Sequence, residues 1–328
     1  MSLPDFFVAG APKAGTTALH AALARHPELY LSPVKEPKFF LTDGPPPAQG
    51  GPGDAKTYGE HVWRRQDYEA LFESAPPGTL RGESTPFYLY SHAAQKRIRA
   101  LIPAAQLIVV LRDPIERAHS NWAHLWSSGL DPIDDFVRAC GAEDQRVAAG
   151  WADFWHYKRL GLYGWQVRQL YTVFPPEQVQ LIRYRDLVEA PSEALDRICA
   201  FLGVRQGLVA EIPRENVTAH PDHTLRHQYL SKILRAGSAL TARVAGSGRS
   251  VIDRLESSLQ RDAAPRRPLT WDQRQALIPY FEPDVRLLEE LTGEDFSVWL
   301  LPRPESGGLV GARPAGQRQA RNGRPRQY

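Results

Sequence analysis

The chain has 328 residues, 42% of them hydrophobic, which is enough for one large α/β domain rather than two small ones. The formal net charge is +3, but six arginines lie in residues 303–328, so a basic folded face of the kind that binds nucleic acid is not expected. Since there is no signal peptide, no stretch of about 18 apolar residues and only two cysteines, we expect a cytoplasmic protein with no membrane span and no disulfide framework.

The first predicted elements are a strand, a loop and a helix in immediate succession. Residues 3–10 contain a short apolar run that ends in Gly10, which is typical of a buried strand. Residues 16–26 carry apolar side chains at helical spacing, and Pro27 follows directly. The loop between them therefore joins the carboxyl end of a strand to the amino end of a helix.

Strands and helices alternate along the rest of the chain. Residues 106–111 and 179–184 are apolar runs that predict strands, and residues 43–56 form a loop by their glycine and proline content. Helical spacing predicts helices over residues 67–74, 93–101, 115–126, 163–174, 192–202 and 271–291. This alternation predicts an α/β fold, a single domain whose central parallel sheet is flanked by helices on both faces.

Composition divides the chain into a domain and a tail. We assign residues 1–302 to the domain. Within it, residues 231–268 show helical periodicity broken by glycines and end in a basic linker, which predicts a helical insertion or lid. Residues 303–328 are rich in glycine, proline and arginine and are predicted to be a disordered basic tail.

The loop of residues 10–17 carries the strongest chemical signal. Its glycines let backbone N–H groups surround a phosphate, and the following helix adds its dipole. The nucleotide P-loop has the same G-x-x-x-x-G spacing, but its lysine position holds a threonine here and the lysine lies inside the loop. The candidate ligands of an anion held without a metal are Lys13, Ala14, Gly15, Thr16 and Thr17. The alternative is an ordinary strand-to-helix turn capped by the two threonines.

This P-loop-like segment resembles the 5′-phosphosulfate loop of the sulfotransferases that use 3′-phosphoadenosine 5′-phosphosulfate (PAPS). The resemblance implies that Lys13 neutralises charge on the bridging oxygen as the sulfuryl group leaves. Residues 107–120 resemble the second element of the family, which assigns the donor's 3′-phosphate to Arg112 and Ser120. An arginine fork and a hydroxyl suit phosphate oxygens. The alternative is that Arg112 pairs locally with Asp113 and that Ser120 lies on a helix surface.

Residues 35–40, Lys-Glu-Pro-Lys-Phe-Phe, resemble an acidic stretch of the heparan-sulfate-type branch of that family. The resemblance implies that Glu36 deprotonates the acceptor, because a neutral alcohol is a poor nucleophile. Lys38 would orient the acceptor or balance sulfate charge. Residues 81–88 resemble the next family stretch, in which Ser84 replaces a lysine thought to assist catalysis. Two aromatic residues are candidate acceptor contacts: Tyr88, and Trp155 with core packing as the alternative.

The remaining predictions concern a last phosphate contact, metals and the reaction. Arg226 is the candidate for the family's late basic loop over the 3′-phosphate. His223 and His227 have a spacing that can bind metal, but we interpret them as ordinary histidines and expect no metal. The expected reaction transfers a sulfuryl group from PAPS to a hydroxyl, or an amine, of a small molecule or glycan, leaving the product PAP. The alternatives are a magnesium-dependent P-loop kinase or hydrolase and a non-catalytic nucleotide-binding protein.

Overall fold

A computed structural model describes residues 2–41, 44, 47, 50–213 and 268–302. Within them, five strands form one sheet: β1 (Phe6–Gly10), β2 (Leu29–Leu31), β3 (Leu80–Ser84), β4 (Gln106–Leu111) and β5 (Val179–Arg183). The strands lie in the order β2-β3-β1-β4-β5, and every neighbouring pair is parallel. The chain leaves β1 toward one side of the sheet and later enters β4 on the other. The carboxyl ends of β1 and β4 therefore flank the crevice in which open α/β sheets bind ligands.

The strands β1 and β4 could be predicted from the sequence because they are buried in the middle of the sheet. All five residues of β1 are buried, as are five of the six residues of β4. A parallel sheet is covered on both faces, so its central strands appear as continuous apolar runs rather than alternating ones. The predicted parallel sheet is confirmed, and the bounds predicted for β4 are those of the structure.

Two strands at one side of the sheet were not predicted. β2 has three residues, and β3 has the sequence Leu-Arg-Gly-Glu-Ser, which has neither an apolar run nor a clean alternation. β3 is held between β2 and β1 by its backbone pairing. Tertiary pairing therefore supplies what the side chains of β3 do not indicate.

Helices flank the sheet, and the predicted ones are present with small shifts at their ends. Their bounds are α1 (Thr16–Leu23), α2 (Asp54–Gly59), α3 (Arg65–Ala70), α4 (His92–Leu101), α5 (Pro114–Ser127), α6 (Phe136–Gly141), α7 (Glu143–Ala148), α8 (Tyr163–Tyr171), α9 (Tyr184–Glu189), α10 (Pro191–Leu202) and α11 (Trp271–Thr292). The loop predicted over residues 43–56 ends early, because Asp54 begins α2. Its carboxylate accepts hydrogen bonds from the backbone of Gly51 and Ala152 and from the indole of Trp155.

The start of α5 is held by the C-terminal part of the described chain. Asp113 caps α5, since its Oδ1 accepts hydrogen bonds from the backbone amides of Ile115 and Glu116. Its Oδ2 accepts a hydrogen bond from Arg274 Nη2 at 2.7 Å, and both side chains are almost fully buried. Arg274 also donates to the carbonyl of Leu301. This buried pair fixes the strand-to-helix turn at the carboxyl end of β4.

Several predictions fall on residues that the structure does not describe. The insertion or lid at 231–268 lies outside the described residues except for Pro268, and the tail at 303–328 and the candidate contact Arg226 lie outside them entirely. His223 and His227 are outside as well. Among the helices that are described, none combines the length and apolar character needed to cross a membrane.

Candidate functional site

The loop after β1 has the backbone geometry of an anion cradle. Lys13 and Gly15 both have positive φ angles, 67° and 85°, and the amide of Ala14 donates to the carbonyl of Ala11 at 3.1 Å. α1 begins directly after Gly15, and no side chain caps it. Thr16 is therefore the first helical residue rather than the N-cap. The amides of the first turn and the positive end of the helix dipole face the loop, as an anion requires.

Gly15 is required by its neighbour as well as by its φ angle. A Cβ atom at this position would lie 2.8 Å from the ring of Tyr184, the first residue of α9. The guanidinium of Arg112 lies over the same ring, 4.9 Å from its centroid. Tyr184 thus fills the space between the loop and the end of β4. Tyr184 was not among the predicted site residues.

Arg112 lies at the carboxyl end of β4 and contacts the loop directly. Its Nη1 donates a hydrogen bond to the carbonyl oxygen of Lys13 at 3.2 Å, and its Nη2 lies 3.6 Å from Glu116. Its Nε is buried and has no hydrogen-bond partner within the described part of the chain. The predicted alternative, a local pair with Asp113, is wrong because Asp113 is committed to the helix cap and to Arg274.

The helix α5, which follows Arg112, carries two polar side chains, Ser120 and His124, on one face. Ser120 lies on α5 and is 8% exposed. His124 follows four residues later, on the same face of the helix. Desolvation and the nearby charge of Lys13 lower the pKa of His124 to about 4, so its imidazole is neutral at pH 7. His124 was not among the predicted site residues, and its sequence neighbours carry no signal for this proximity.

Glu36 and Lys38 share a short loop with an unusual backbone. Their φ angles are 60° and 58°, a left-handed conformation that non-glycine residues rarely adopt. Glu36 Oε1 pairs with Lys35 Nζ at 2.5 Å, and the Glu36 amide donates to the carbonyl of Ser84 at 3.0 Å. The Lys38 amide donates to Thr85 Oγ1 at 3.3 Å. The loop is thus attached to the carboxyl end of β3, the strand next to β1.

Ser84, which replaces the family lysine, has a histidine partner. His20 Nδ1 lies 2.9 Å from Ser84 Oγ, so residues of α1 and β3 meet beside the loop of Glu36. Burial and the charge of Lys35 lower the pKa of His20 to about 4, against an opposing effect of Glu36. The position of the lysine is therefore occupied here by a neutral hydrogen-bonded pair. His20 was not among the predicted site residues.

The structure corrects the two predicted aromatic acceptor contacts. Tyr88 is 0% exposed, and its hydroxyl donates to Glu83. Trp155 is 1% exposed, donates to Asp54 and lies under the guanidinium of Arg146. Side chains buried this deeply cannot present a face to an acceptor. The alternative of core packing applies to Trp155. The hydroxyl of Tyr88 accepts a hydrogen bond from the amide of Phe40, at the end of the segment that carries Glu36 and Lys38.

The described residues hold no evident metal site. No group of three or more histidine, cysteine, aspartate or glutamate side chains is close enough together among them to hold a metal ion. Cys140 and Cys199 are both buried and unpaired by disulfides.

Comparisons with known proteins all lead to one family. Residues 4–206 match the family model described as "Sulfotransferase family". The chain is 26% identical over 296 residues to heparan sulfate glucosamine 3-O-sulfotransferase 6 of Mus musculus, a match covering 89% of this chain and 73% of that protein. It is 28% identical over 213 residues to bifunctional heparan sulfate N-deacetylase/N-sulfotransferase 3 of Mus musculus, covering 62% of this chain and 22% of that protein.

A solved structure agrees with the sequence matches. The sulfotransferase from Alicyclobacillus acidocaldarius superposes with a TM-score of 0.70 at 27% identity, covering 91% of this chain and 99% of that chain. The curated relatives are longer than the region they share with this chain. The match covers 53% of heparan sulfate glucosamine 3-O-sulfotransferase 6 of Homo sapiens and less than a quarter of the bifunctional enzyme.

Proposed function

The chain belongs to the sulfotransferase family, and we propose that it takes its sulfuryl group from PAPS and transfers it to a hydroxyl of a glycan or small molecule. The observation that carries the proposal is the hydrogen bond from Arg112 to the carbonyl of Lys13. It joins the two elements that the resemblance assigns to the two phosphate groups of one donor. A donor with phosphates at both its 5′ and 3′ positions suits that arrangement.

The residues around this bond fit such a donor. The loop amides, Lys13 and the uncapped start of α1 suit the 5′-phosphosulfate. The guanidinium of Arg112, with its buried Nε, and the hydroxyl of Ser120 suit the 3′-phosphate. Arginine offers a planar fork of donors to such an anion.

The reaction itself is a displacement at sulfur. Glu36 takes the proton of the acceptor hydroxyl, the acceptor oxygen forms a bond to sulfur, and the bond between sulfur and the phosphate oxygen breaks. Lys13 stabilises the negative charge that develops on that phosphate oxygen. Lys35 Nζ lies 2.5 Å from Glu36 Oε1, so Glu36 carries a cationic partner beside the acceptor side of the site. No metal ion enters any of these steps.

A glycan acceptor is supported by the relatives, which are named for heparan sulfate. An amine on a small molecule or glycan is the other nucleophile that this chemistry accommodates.

We place the domain at residues 1–302. A reducing compartment such as the cytoplasm suits the two buried free thiols.

The rival functions use the same loop differently. A P-loop kinase or hydrolase holds magnesium and places a lysine on the transferred phosphate, at the position where this chain has Thr16. The family membership does not favour it. A non-catalytic nucleotide-binding protein would bind the donor and release no product.

The test combines binding with turnover. PAP is titrated calorimetrically into the full chain without magnesium, and PAP release from PAPS is followed with low-sulfated heparan sulfate as the probe acceptor. We expect micromolar binding that Lys13→Ala weakens and that Lys56→Ala, a change at an exposed lysine outside the site, leaves unchanged. Absence of PAP binding, together with binding of ATP and magnesium, would overturn the proposal. Binding without turnover on any hydroxyl or amine probe would favour the non-catalytic alternative.

A further inference from the structure

We infer that Glu83 is a positioning residue that holds the loop carrying Glu36 and Lys38 in its active geometry. Glu83 lies in β3, one residue before Ser84, and touches neither the donor loop nor the predicted acceptor side directly. Its significance for catalysis rests on the proposed function, whereas its effect on the loop does not.

Three hydroxyl groups converge on the Glu83 carboxylate. Tyr68 and Tyr88 donate to Oε1 at 2.7 Å and 2.9 Å, and Thr85 donates to Oε2 at 2.7 Å. Glu83, Tyr68, Tyr88 and Thr85 are each 0% exposed. A buried carboxylate is tolerated only where hydrogen-bond donors replace its water shell, and here three hydroxyl groups of the described residues do so.

Two of these hydroxyls also accept hydrogen bonds from the loop. Thr85 Oγ1 accepts the amide of Lys38 at 3.3 Å, and the Tyr88 hydroxyl accepts the amide of Phe40 at 3.4 Å. A hydroxyl has one proton and two lone pairs. Thr85 and Tyr88 each use their hydroxyl hydrogen to donate a hydrogen bond to Glu83. The lone pairs of the two hydroxyl oxygens are therefore free to accept hydrogen bonds from the amides of the loop. The carboxylate therefore sets the direction of both hydrogen bonds.

With the bond from the Glu36 amide to Ser84, β3 and the residues that follow it, up to Tyr88, accept three amides from the loop, at residues 36, 38 and 40. Pro37 lies between the first two and has no amide hydrogen. Glu36 and Lys38 are the two left-handed residues of this loop, and such a conformation is unfavourable for a residue that is not glycine. The loop would relax from this conformation unless the bonds to β3 opposed it.

The aromatic packing keeps the donors in place. The ring of Phe40 is in edge contact with Tyr68 and Tyr88, and Phe39 stacks on Tyr68 at 4.4 Å. These contacts require only the rings, and phenylalanine would satisfy them. The ring contacts therefore do not account for the hydroxyl groups of Tyr68 and Tyr88, whereas their hydrogen bonds to Glu83 do.

The test measures amide hydrogen exchange in residues 35–41 of the full chain. In Glu83→Gln, the side-chain NH₂ group cannot accept a hydroxyl proton, and in Thr85→Val the acceptor of the Lys38 amide is removed. We expect exchange in this segment to accelerate about 10-fold in both variants, the effect of one lost hydrogen bond. Exchange in residues 11–19 and PAP affinity should stay unchanged.

Two matched variants separate positioning from general loss of structure. Tyr68→Phe removes one donor to Glu83 but no acceptor of the loop, so exchange in residues 35–41 should stay within about 3-fold of the unaltered protein. Thr85→Ser retains the hydroxyl and should restore slow exchange and turnover. With the heparan sulfate probe, Thr85→Val should lower kcat at least 10-fold while PAP affinity is retained.

The inference is overturned if the segment exchanges equally in Thr85→Val, Thr85→Ser and the unaltered protein, or if Tyr68→Phe accelerates it as much as Thr85→Val. A folded Glu83→Gln variant in which residues 35–41 exchange as in the unaltered protein would overturn it as well. If Glu83→Gln does not fold, the Thr85 pair decides whether the bond through which Glu83 acts holds the loop. Failure of PAP to bind the unaltered protein would overturn the proposed function instead, while the exchange measurement would still decide whether Glu83 holds the loop.

Discussion

The guanidinium of Arg112 donates a hydrogen bond to the backbone carbonyl of Lys13, with 3.2 Å between Nη1 and the oxygen. Arg112 directly follows β4 and Lys13 lies in the loop after β1, and these two strands are neighbours in the sheet. The bond places the largely buried guanidinium of Arg112 beside the loop of residues 10–17. Since Arg112 contacts the loop and also carries the fork assigned to the 3′-phosphate, its replacement should affect the whole donor site.

We first predict that Arg112→Lys weakens PAP binding about 10- to 100-fold. The charge is kept, but the planar fork and the bond to Lys13 are lost, and hydrogen bonds to charged groups contribute about 1.5–3 kcal/mol. Ser120→Ala, which removes one hydroxyl, should weaken binding less. Isothermal titration with PAP measures both. Arg185→Lys is the control, because Arg185 pairs with Glu189 on an exposed helix. Unchanged affinity in Arg112→Lys would exclude the assigned role of Arg112.

A second prediction concerns Gly15. Gly15→Ala introduces a Cβ atom 2.8 Å from the ring of Tyr184 at a φ of 85°, whereas Gly78→Ala introduces one at a similar φ of 83° with nothing within 4 Å. Both should lose about 1–2 kcal/mol of unfolding free energy from the backbone conformation. Only Gly15→Ala should also weaken PAP binding, by more than about 10-fold, because Tyr184 and the loop must separate. Equal behaviour of the two variants in denaturation and titration would contradict this.

Glu36→Gln should abolish most turnover without affecting the donor. General-base catalysis contributes about 10²- to 10⁴-fold, so PAP release with the heparan sulfate probe should fall by that factor. PAP affinity should stay the same, since Glu36 belongs to the acceptor loop. Glu60→Gln, at an exposed glutamate, is the matched control. Turnover close to that of the unaltered protein would mean that another group takes the acceptor proton.

The stability of the protein should carry a pH signature of Glu83. Burial raises the pKa of Glu83 from 4.5 to about 7, against the three hydroxyl hydrogen bonds that lower it. A carboxyl with a raised pKa binds its proton more tightly in the folded state. Its contribution therefore stabilises the fold at low pH and is lost as pH rises from about 4.5 to about 7.

Urea denaturation of the unaltered protein and of Glu83→Gln between pH 5 and pH 8 isolates this effect. The difference in unfolding free energy should move in favour of Glu83→Gln as pH rises, by at most about 1.4 kcal/mol per pH unit. Other groups titrate in the same range, including Asp153, whose pKa is raised to about 6 by burial, but they are common to both proteins. A pH-independent difference would mean that Glu83 keeps an ordinary pKa.

The last prediction concerns the pair that replaces the family lysine. Ser84→Lys should destabilise the protein by about 1–3 kcal/mol, because Ser84 is fully buried and His20 occupies the adjacent space. His20→Ala makes room, so the double variant should be more stable than the sum of the single effects predicts, by about 0.5–3 kcal/mol. A double-mutant cycle of denaturation midpoints measures this coupling, and additive effects would show that the two positions are independent.

Local chemistry made the donor side predictable. A buried parallel strand is a continuous apolar run, and a phosphate loop consists of consecutive residues, so β1, β4 and residues 10–17 could be recognised from neighbours along the chain. Arg112 was assigned by the resemblance of residues 107–120 to the second element of the family. The single-domain α/β fold followed from the alternation of elements.

The acceptor side depended on contacts between distant segments. β3 shows no strand pattern, and its last residue together with Thr85 and Tyr88 accepts the amides of residues 36, 38 and 40, more than 40 residues earlier in the chain. The burial of Tyr88 and Trp155, the pairing of His20 with Ser84 and the approach of Tyr184 to Gly15 likewise arise between segments far apart in sequence. The sequence by itself determined the two central strands, the loop of residues 10–17 and the resemblance to the family. Only the tertiary structure decided which polar groups are buried together, because a buried polar side chain and its distant hydrogen-bond partner leave no periodic pattern in the chain.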